Sequence, residues 1–312
     1  MADLIEAITK STQLTDKSKQ SYSFSWKSIQ KRTGDAPLED IIVQHKKYIP
    51  QFNKWFTNIT TRKSIVTFIL TVFRHNPVFK DKHASAYDAW RKVYDDAKAA
   101  VDERYESNKP TEKQVKGFVC YKDIIAKRDE LAAGSIERLL LGMYTYIPPM
   151  RCEYARVAIY RGKVPKEPEA EPNYIHVRGK RGNLVIQRFK TDKHHKPFDI
   201  DLPKPLMDDL LKSLADTPRE WLFVNSKDEP YTNLMFTQWT IRAFTKLFGR
   251  PLTVALIRHS FINELDFNTM SIKERNDIAA AMAHTRETQE RYKLLFDKKD
   301  PEYAKICSAA TE

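Results

Sequence analysis

Cysteine is scarce: only Cys120, Cys152 and Cys307 occur in 312 residues. The number is odd and no two form a CxxC pair. This argues against a disulfide framework or a zinc site, and makes a reducing, intracellular compartment, cytoplasm or nucleus, the expected location. Long apolar runs are also missing. The longest, IVTFILTVF at 65–73, is too short to cross a bilayer and contains two threonines. The amino-terminal MADLIEAITKSTQLTDKSK lacks an apolar stretch followed by a small-residue cleavage site, so neither a secretion signal nor a membrane span is expected. There is no GxxxxGK loop, no cluster of residues at metal-ligand spacing, no internal repeat and no low-complexity segment.

What is abundant is positive charge. Lysine and arginine number 53 against 41 aspartates and glutamates, a net of +12, which makes a polyanion the first partner to consider. Nucleic acid fits, as does an anionic membrane surface, but the basic residues do not gather on one amphipathic helix with an apolar opposite face. The length exceeds the usual single domain, so two domains are expected. Residues 1–110 hold 19 basic and 13 acidic side chains, half of the net charge, so both parts are candidates for touching the same polyanion.

Apolar residues recur at helical spacing up to about residue 105, as in Ile65, Phe68, Ile69, Val72 and Phe73, which predicts a helical module over 1–107. Lys27, Lys31, Arg32, Arg62 and Lys63 are interleaved with it. Such runs are most often a solvated face, and the functional reading is a phosphate-contacting one. A turn signal at 107–110 precedes a capping box, Thr111 to Gln114, which opens the second domain, 108–312. Helices follow to about 147, where Pro148 and Pro149 stop the chain's helical course just before Arg151. The segments 173–178, 183–190 and 197–203 read as a small antiparallel sheet, with a basic hairpin tip near 191–196, and helices resume afterwards, a second capping box, Ser271 to Glu274, opening the one that leads to His284. The predicted fold is mainly α, in two domains, with its small sheet confined to the second.

One stretch raises a chemical question. In AMAHTRETQERY, residues 281–292, an apolar helix end stops at His284, and Tyr292 follows among Arg286, Glu287, Glu290 and Arg291. A tyrosine in so polar a setting is poorly suited to a core. Arg151, Lys190, Arg258 and His284 precede it in order. Taken singly, an arginine after a helix is usually a capping residue, a lysine near a hairpin is usually solvated, and a lone histidine is usually structural.

Taken together, PPMR (148–151), RFKTDK (188–193), TVALIRHSF (253–261) and AHTRETQERY (283–292) resemble the motifs of the tyrosine recombinase and integrase superfamily. That superfamily shares its catalytic domain with type IB topoisomerases. The resemblance covers most of residues 110–296. It implies a C-shaped, two-domain clamp on double-stranded DNA, made of a helical core-binding domain and a catalytic domain with a C-terminal tail. It also implies strand exchange in a homotetramer, with no metal or other cofactor. Tyr292 would be the nucleophile that forms a 3′-phosphotyrosine, Arg151 and Arg258 would stabilise charge on the phosphate, and His284 would donate a hydrogen bond to it. Lys190 would protonate the leaving 5′ oxygen.

The pattern departs from the family in several places. Ala255 stands where the box usually has a histidine or lysine, and His259 and Lys193 are possible supporting residues. Lys193 also competes with Lys190 for the hairpin role, as does Lys180, which lies with Arg181 in a basic turn suited to DNA contact. Met150 and Tyr154 replace the usual glycine and glutamate around Arg151. The prolines and the short His284–Tyr292 spacing are similar to recombinases of large eukaryotic DNA viruses and mobile elements. Three functions are open: a recombinase or integrase, a type IB topoisomerase, and a catalytically degenerate architectural DNA-binding protein, which Ala255 keeps in play. The segment 293–312 is long enough to dock on a neighbouring protomer.

Overall fold

The computed structural model describes residues 4–34, 36–166, 171–190, 192 and 196–296. Its internal contacts divide the chain into two compact units, Met1–Ser107 and Asn108–Glu312. Lys193, most of the expected hairpin tip and the tail from residue 297 onward lie outside the described residues.

The described part of the first unit is helical: α1 (Glu6–Thr9), α2 (Asp16–Thr33), α3 (Leu38–Val43), α4 (His45–Trp55), α5 (Ile59–His75), α6 (Pro77–Lys82) and α7 (Ala84–Glu106). The apolar spacing seen in the sequence places Ile65, Val66, Phe68, Ile69, Val72 and Phe73 of α5 in the core. Asn58 starts α5, its side chain accepting from the Thr61 backbone, and Pro77 starts α6 at a position where no N–H is missed.

Trp90 of α7 is fully buried against Phe52, and its Nε1 donates to the Ile42 carbonyl at 3.0 Å. Trp90→Ala is expected to cost about 3–5 kcal/mol from the lost packing, with about 1–3 kcal/mol more for the orphaned carbonyl. Denaturant unfolding of the whole chain checks this. A loss below about 1 kcal/mol would mean that the core does not depend on Trp90.

The second unit opens with α8 (Glu112–Gly117), α9 (Tyr121–Glu130) and α10 (Ile136–Thr145), then a 3-10 turn at Glu153–Arg156. The strands β1 (Ala158–Arg161), β2 (Asn173–Arg178), β3 (Arg181–Ile186) and β4 (Phe198–Asp201) follow, and then α11 (Lys204–Asp216), α12 (Asn233–Phe248), α13 (Val254–Glu264), α14 (Ile272–Ala281) and α15 (Arg286–Glu290). Both anticipated capping boxes form, Thr111 with Gln114 and Ser271 with Glu274. Gly117 is required by close approach, because a Cβ there would lie 2.7 Å from both the Leu256 side chain and the Pro251 carbonyl.

The sheet has the order β1-β2-β3-β4. The β2–β3 and β3–β4 pairs are antiparallel as expected, but β1 adds a parallel pair, so the sheet is mixed. The strand expected over 183–190 runs instead from Arg181 to Ile186. The Asn173 side chain ends the ladder: its Oδ1 accepts from the Gln187 and Arg188 backbones at 3.0 and 2.9 Å, and its Nδ2 donates to the Arg188 carbonyl at 2.8 Å. Lys190 therefore lies in a turn beyond the strand.

Cys152 is a free thiol, whereas Cys120 is disulfide-bonded. An odd cysteine count argues against full pairing but leaves room for one bond, and the cysteine argument for a reducing compartment falls away. Among the described residues no helix is long and apolar enough to cross a membrane.

Candidate active site

Four of the expected residues of the second unit are brought together: Arg258 within α13, and Arg151, His284 and Tyr292 on the segments that follow α10, α14 and α15. Arg151 follows α10 and the two prolines. Its carbonyl accepts from the Tyr144 hydroxyl at 2.9 Å, and its Nη1 donates to the Ala283 carbonyl at 3.2 Å. Ala283 has φ of 54°, in the left-handed region that a side chain occupies at a cost of about 1–2 kcal/mol. That conformation carries the chain from α14 to His284 and places the Ala283 carbonyl on Arg151.

Arg258, on α13, is only 1% exposed. Its Nη1 donates to the Pro149 carbonyl at 2.6 Å, and its Nη2 donates to the Met282 carbonyl and to His284 Nδ1, both at 3.1 Å. Among the described residues its buried Nε has no acceptor. One guanidinium thus ties the chain before Arg151 to the chain before His284. A guanidinium can only donate, so His284 Nδ1 accepts and the ring proton sits on Nε2. Burial lowers the pKa of Arg258, and nearby Arg151 acts in the same direction.

Tyr292 lies just past α15, half-buried. Its ring is 5.0 Å from the Arg258 guanidinium carbon, 4.7 Å from the His259 ring and 5.3 Å from the His284 ring. Burial by itself would raise the hydroxyl's pKa. Arg258 and then Arg151, by charge and hydrogen bonding, outweigh burial and hold it below the usual tyrosine value. The phenol oxygen is thus drawn toward two cationic forks, the groups that recognise phosphate oxygens best.

Two structures of lambda integrase dimers, each bound to a COC′ core site, are similar to this chain. One matches with 15% identity and a TM-score of 0.55 over 95% of this chain and 78% of that one. The other matches with 15% identity and a TM-score of 0.57 over 95% of this chain and 94% of that one. The chain has the tyrosine-recombinase fold. No protein-family model and no curated protein matches the sequence.

Within the tyrosine-recombinase fold of this chain, the other expected residues sit as follows. His259 is turned to the backbone of the nucleophile candidate: its Nδ1 donates to the Tyr292 carbonyl at 2.7 Å, and burial lowers its pKa. Ala255 is exposed on α13. Lys180 is exposed in the two-residue turn between β2 and β3, whose last pair is Arg178 with Arg181. Gly179 beside it supplies the φ of 62° that the turn needs. Arg178, Lys180, Arg181 and Lys204 line a groove of about 820 Å³.

In the first unit Lys27 and Lys31 are exposed and Lys63 is half-buried. Arg62 does structural work, with Nε and Nη2 donating to the Phe56 and Asn53 carbonyls at the end of α4, at 2.9 and 3.3 Å. Arg32 stacks over Phe56 and bonds Ser28. These two are therefore partly absorbed by the fold. Among the described residues no group of three or more His, Cys, Asp and Glu side chains is placed to hold a metal.

Several residues at the site carry no sequence signal. Gln289 is fully buried and, among the described residues, neither of its amide atoms has a partner. Glu153, two residues after Arg151, has a buried Oε2 that likewise has none among them. Asn263 is engaged with the chain just past Tyr292. Only Glu153 had a clue, its closeness to Arg151 in sequence.

Proposed function

We propose that this chain is a tyrosine recombinase that cuts and rejoins double-stranded DNA through Tyr292. The observation that carries the reading is the convergence of Arg258 and Arg151 on the Tyr292 hydroxyl, whose pKa they lower. The likeness to two integrase dimers bound to DNA core sites supports the choice of substrate. The Tyr292 oxygen attacks phosphorus, a Tyr–O–P bond forms, and the P–O5′ bond breaks. Charge that builds on the non-bridging oxygens is met by the two guanidinium groups and by His284 Nε2–H. The Tyr292 phenol gives up its proton to solvent as it attacks, the leaving 5′ oxygen takes a proton from a lysine ammonium, and a 5′ hydroxyl later reverses the step. Exposed Lys27, Lys31, Lys180 and Arg181 serve phosphate contact, in agreement with the +12 net charge. Exchange in a tetramer belongs to the same reading.

The test is covalent trapping. Nicked duplexes taken from the flanks of the chain's own gene are incubated with the protein, denatured and resolved for a protein-linked strand. A salt-sensitive band supports the reading. Relaxation of supercoiled DNA by monomers without exchange would instead indicate a topoisomerase. DNA binding with neither activity would indicate the architectural reading, for which the small side chain of Ala255 is the structural motive.

The candidates for the proton donor are Lys190, Lys193 and Lys180, of which Lys193 lies outside the described residues. The expected strand over 183–190 would have held Lys190 firmly, but β3 ends before it. Lys180 stands at the tip of a hairpin with six paired positions, which gives an ammonium group a firm support. Lys180→Ala is expected to slow cleavage by about 10²–10⁴-fold. It should regain most of that loss when the leaving oxygen is replaced by sulfur, because a thiolate departs without a proton. Rescue confined to Lys190→Ala would reverse the assignment.

A further inference from the structure

The backbone that follows Tyr292 is held by the side chains of one helix. His259 of α13 bonds the Tyr292 carbonyl. One turn further along, Asn263 Nδ2 donates to the Leu294 carbonyl at 2.8 Å and Oδ1 accepts from the Leu294 N–H at 2.8 Å. Lys293 reaches back to the end of the same helix, its Nζ donating to the Asn263 and Leu265 carbonyls at 3.3 and 2.9 Å. Beyond these contacts the Leu295 N–H donates to the Asn108 carbonyl at 2.9 Å, Leu294 is buried beside Phe118, and the rings of Phe118 and Phe296 lie 4.4 Å apart.

A side-chain amide offers one donor edge and one acceptor edge, as a peptide group does, so Asn263 pairs with Leu294 as a neighbouring strand would. Neither residue belongs to a strand. The same helix carries Arg258. The spacing between the nucleophile's backbone and the guanidinium is therefore set by a rigid element and not by a loose segment.

We propose that Asn263 is a positioning residue, which locks the chain after Tyr292 to α13 and so presents the tyrosine to the arginines of its own chain. The proposal rests on Tyr292 being the nucleophile. Asn263 touches no reacting group and acts through Tyr292. Aspartate at this position keeps the size and the acceptor but sets a carboxylate oxygen against the Leu294 carbonyl.

Two readouts separate positioning from plain stability. In Asn263→Asp, adduct formation at saturating DNA is expected to fall about 100-fold, the effect of a misplacement of about 1 Å, with the dissociation constant for DNA unchanged. By ¹³C NMR of labelled tyrosine, without DNA, the Tyr292 hydroxyl should titrate closer to an ordinary tyrosine than in the wild type, because it no longer rests on the arginines. Lys293→Met leaves the Asn263 pairing intact and should shift both readouts the same way by less, which covers the case in which the aspartate variant does not fold. Wild-type rates and an unshifted titration in both variants would overturn the proposal. A wild type that forms no adduct, with the titration still moved by Asn263→Asp, would sink the DNA-cleaving reading and leave the positioning role standing.

Discussion

Tyr292→Phe is expected to abolish the covalent protein–DNA band while DNA binding and its salt dependence stay as in the wild type. The substitution keeps the ring, so the contacts with His259, His284 and Arg258 survive. The fold should hardly notice. What disappears is the attacking oxygen, and losing a nucleophile costs on the order of a million-fold in rate, below any detectable band. A band of undiminished intensity would place the nucleophile elsewhere and remove the main support for the proposed function.

The same hydroxyl sets a pH dependence. Its ionisation is held below the usual tyrosine value by Arg258 and Arg151 against the opposing effect of burial. The folded pKa is therefore depressed relative to the unfolded chain. Its stabilising contribution is fully present above the unfolded tyrosine value near 10 and is lost as the pH falls through the folded pKa. Arg151→Gln removes one of the two lowering influences, so the midpoint should rise and the pH at which adduct formation becomes fast should rise with it. In the proposed reaction, the box position that the resembling family fills with a basic residue holds a methyl group here, Ala255, and the two arginines would be what eases loss of the tyrosine's proton.

How much of this could be read from the sequence depends on the range of the interaction concerned. Capping boxes are local, so Thr111–Gln114 and Ser271–Glu274 announced their helices correctly. The α5 core followed from period alone. The four-residue β1 was missed because its partners are remote: it pairs with β2, and Ala158 forms a bridge with Trp221. The end of β3 was placed four residues too late, since β-rich composition continues to Phe189 while the side chain of Asn173, brought in by folding, takes over the hydrogen bonds. At the site, Arg151, Arg258, His284 and Tyr292 stood out only through the resemblance of their motifs to those of tyrosine recombinases; in the structure Arg258 bonds His284, the Tyr292 ring lies beside both, and Arg151 bonds the carbonyl next to His284. Asn263 did not, because its role exists only once α13 lies beside the chain at 294, 31 residues away.

Arg258→Met should separate activity from stability more sharply than any other change. A buried guanidinium pays a desolvation cost, which lowers the pKa of Arg258, and among the described residues no carboxylate bonds it. Replacing a buried charge by an apolar side chain of similar length often leaves stability level or raises it by about 1–4 kcal/mol. Against this gain stand the Pro149 and Met282 carbonyls, which lose their donor at about 1–3 kcal/mol each. The two sides nearly cancel, and the unfolding free energy should move by less than about 2 kcal/mol in either direction. Adduct formation, in contrast, should fall by at least about 10²–10³-fold, the usual consequence of losing one preorganised donor at a developing oxyanion. The loss should be larger still because His284 Nδ1 also loses the partner that fixes its tautomer. Thermal unfolding and trapping on one preparation decide the matter. A collapse of the melting transition would recast Arg258 as a strut between the segments before Arg151 and His284, and an unchanged adduct rate would remove it from the chemistry.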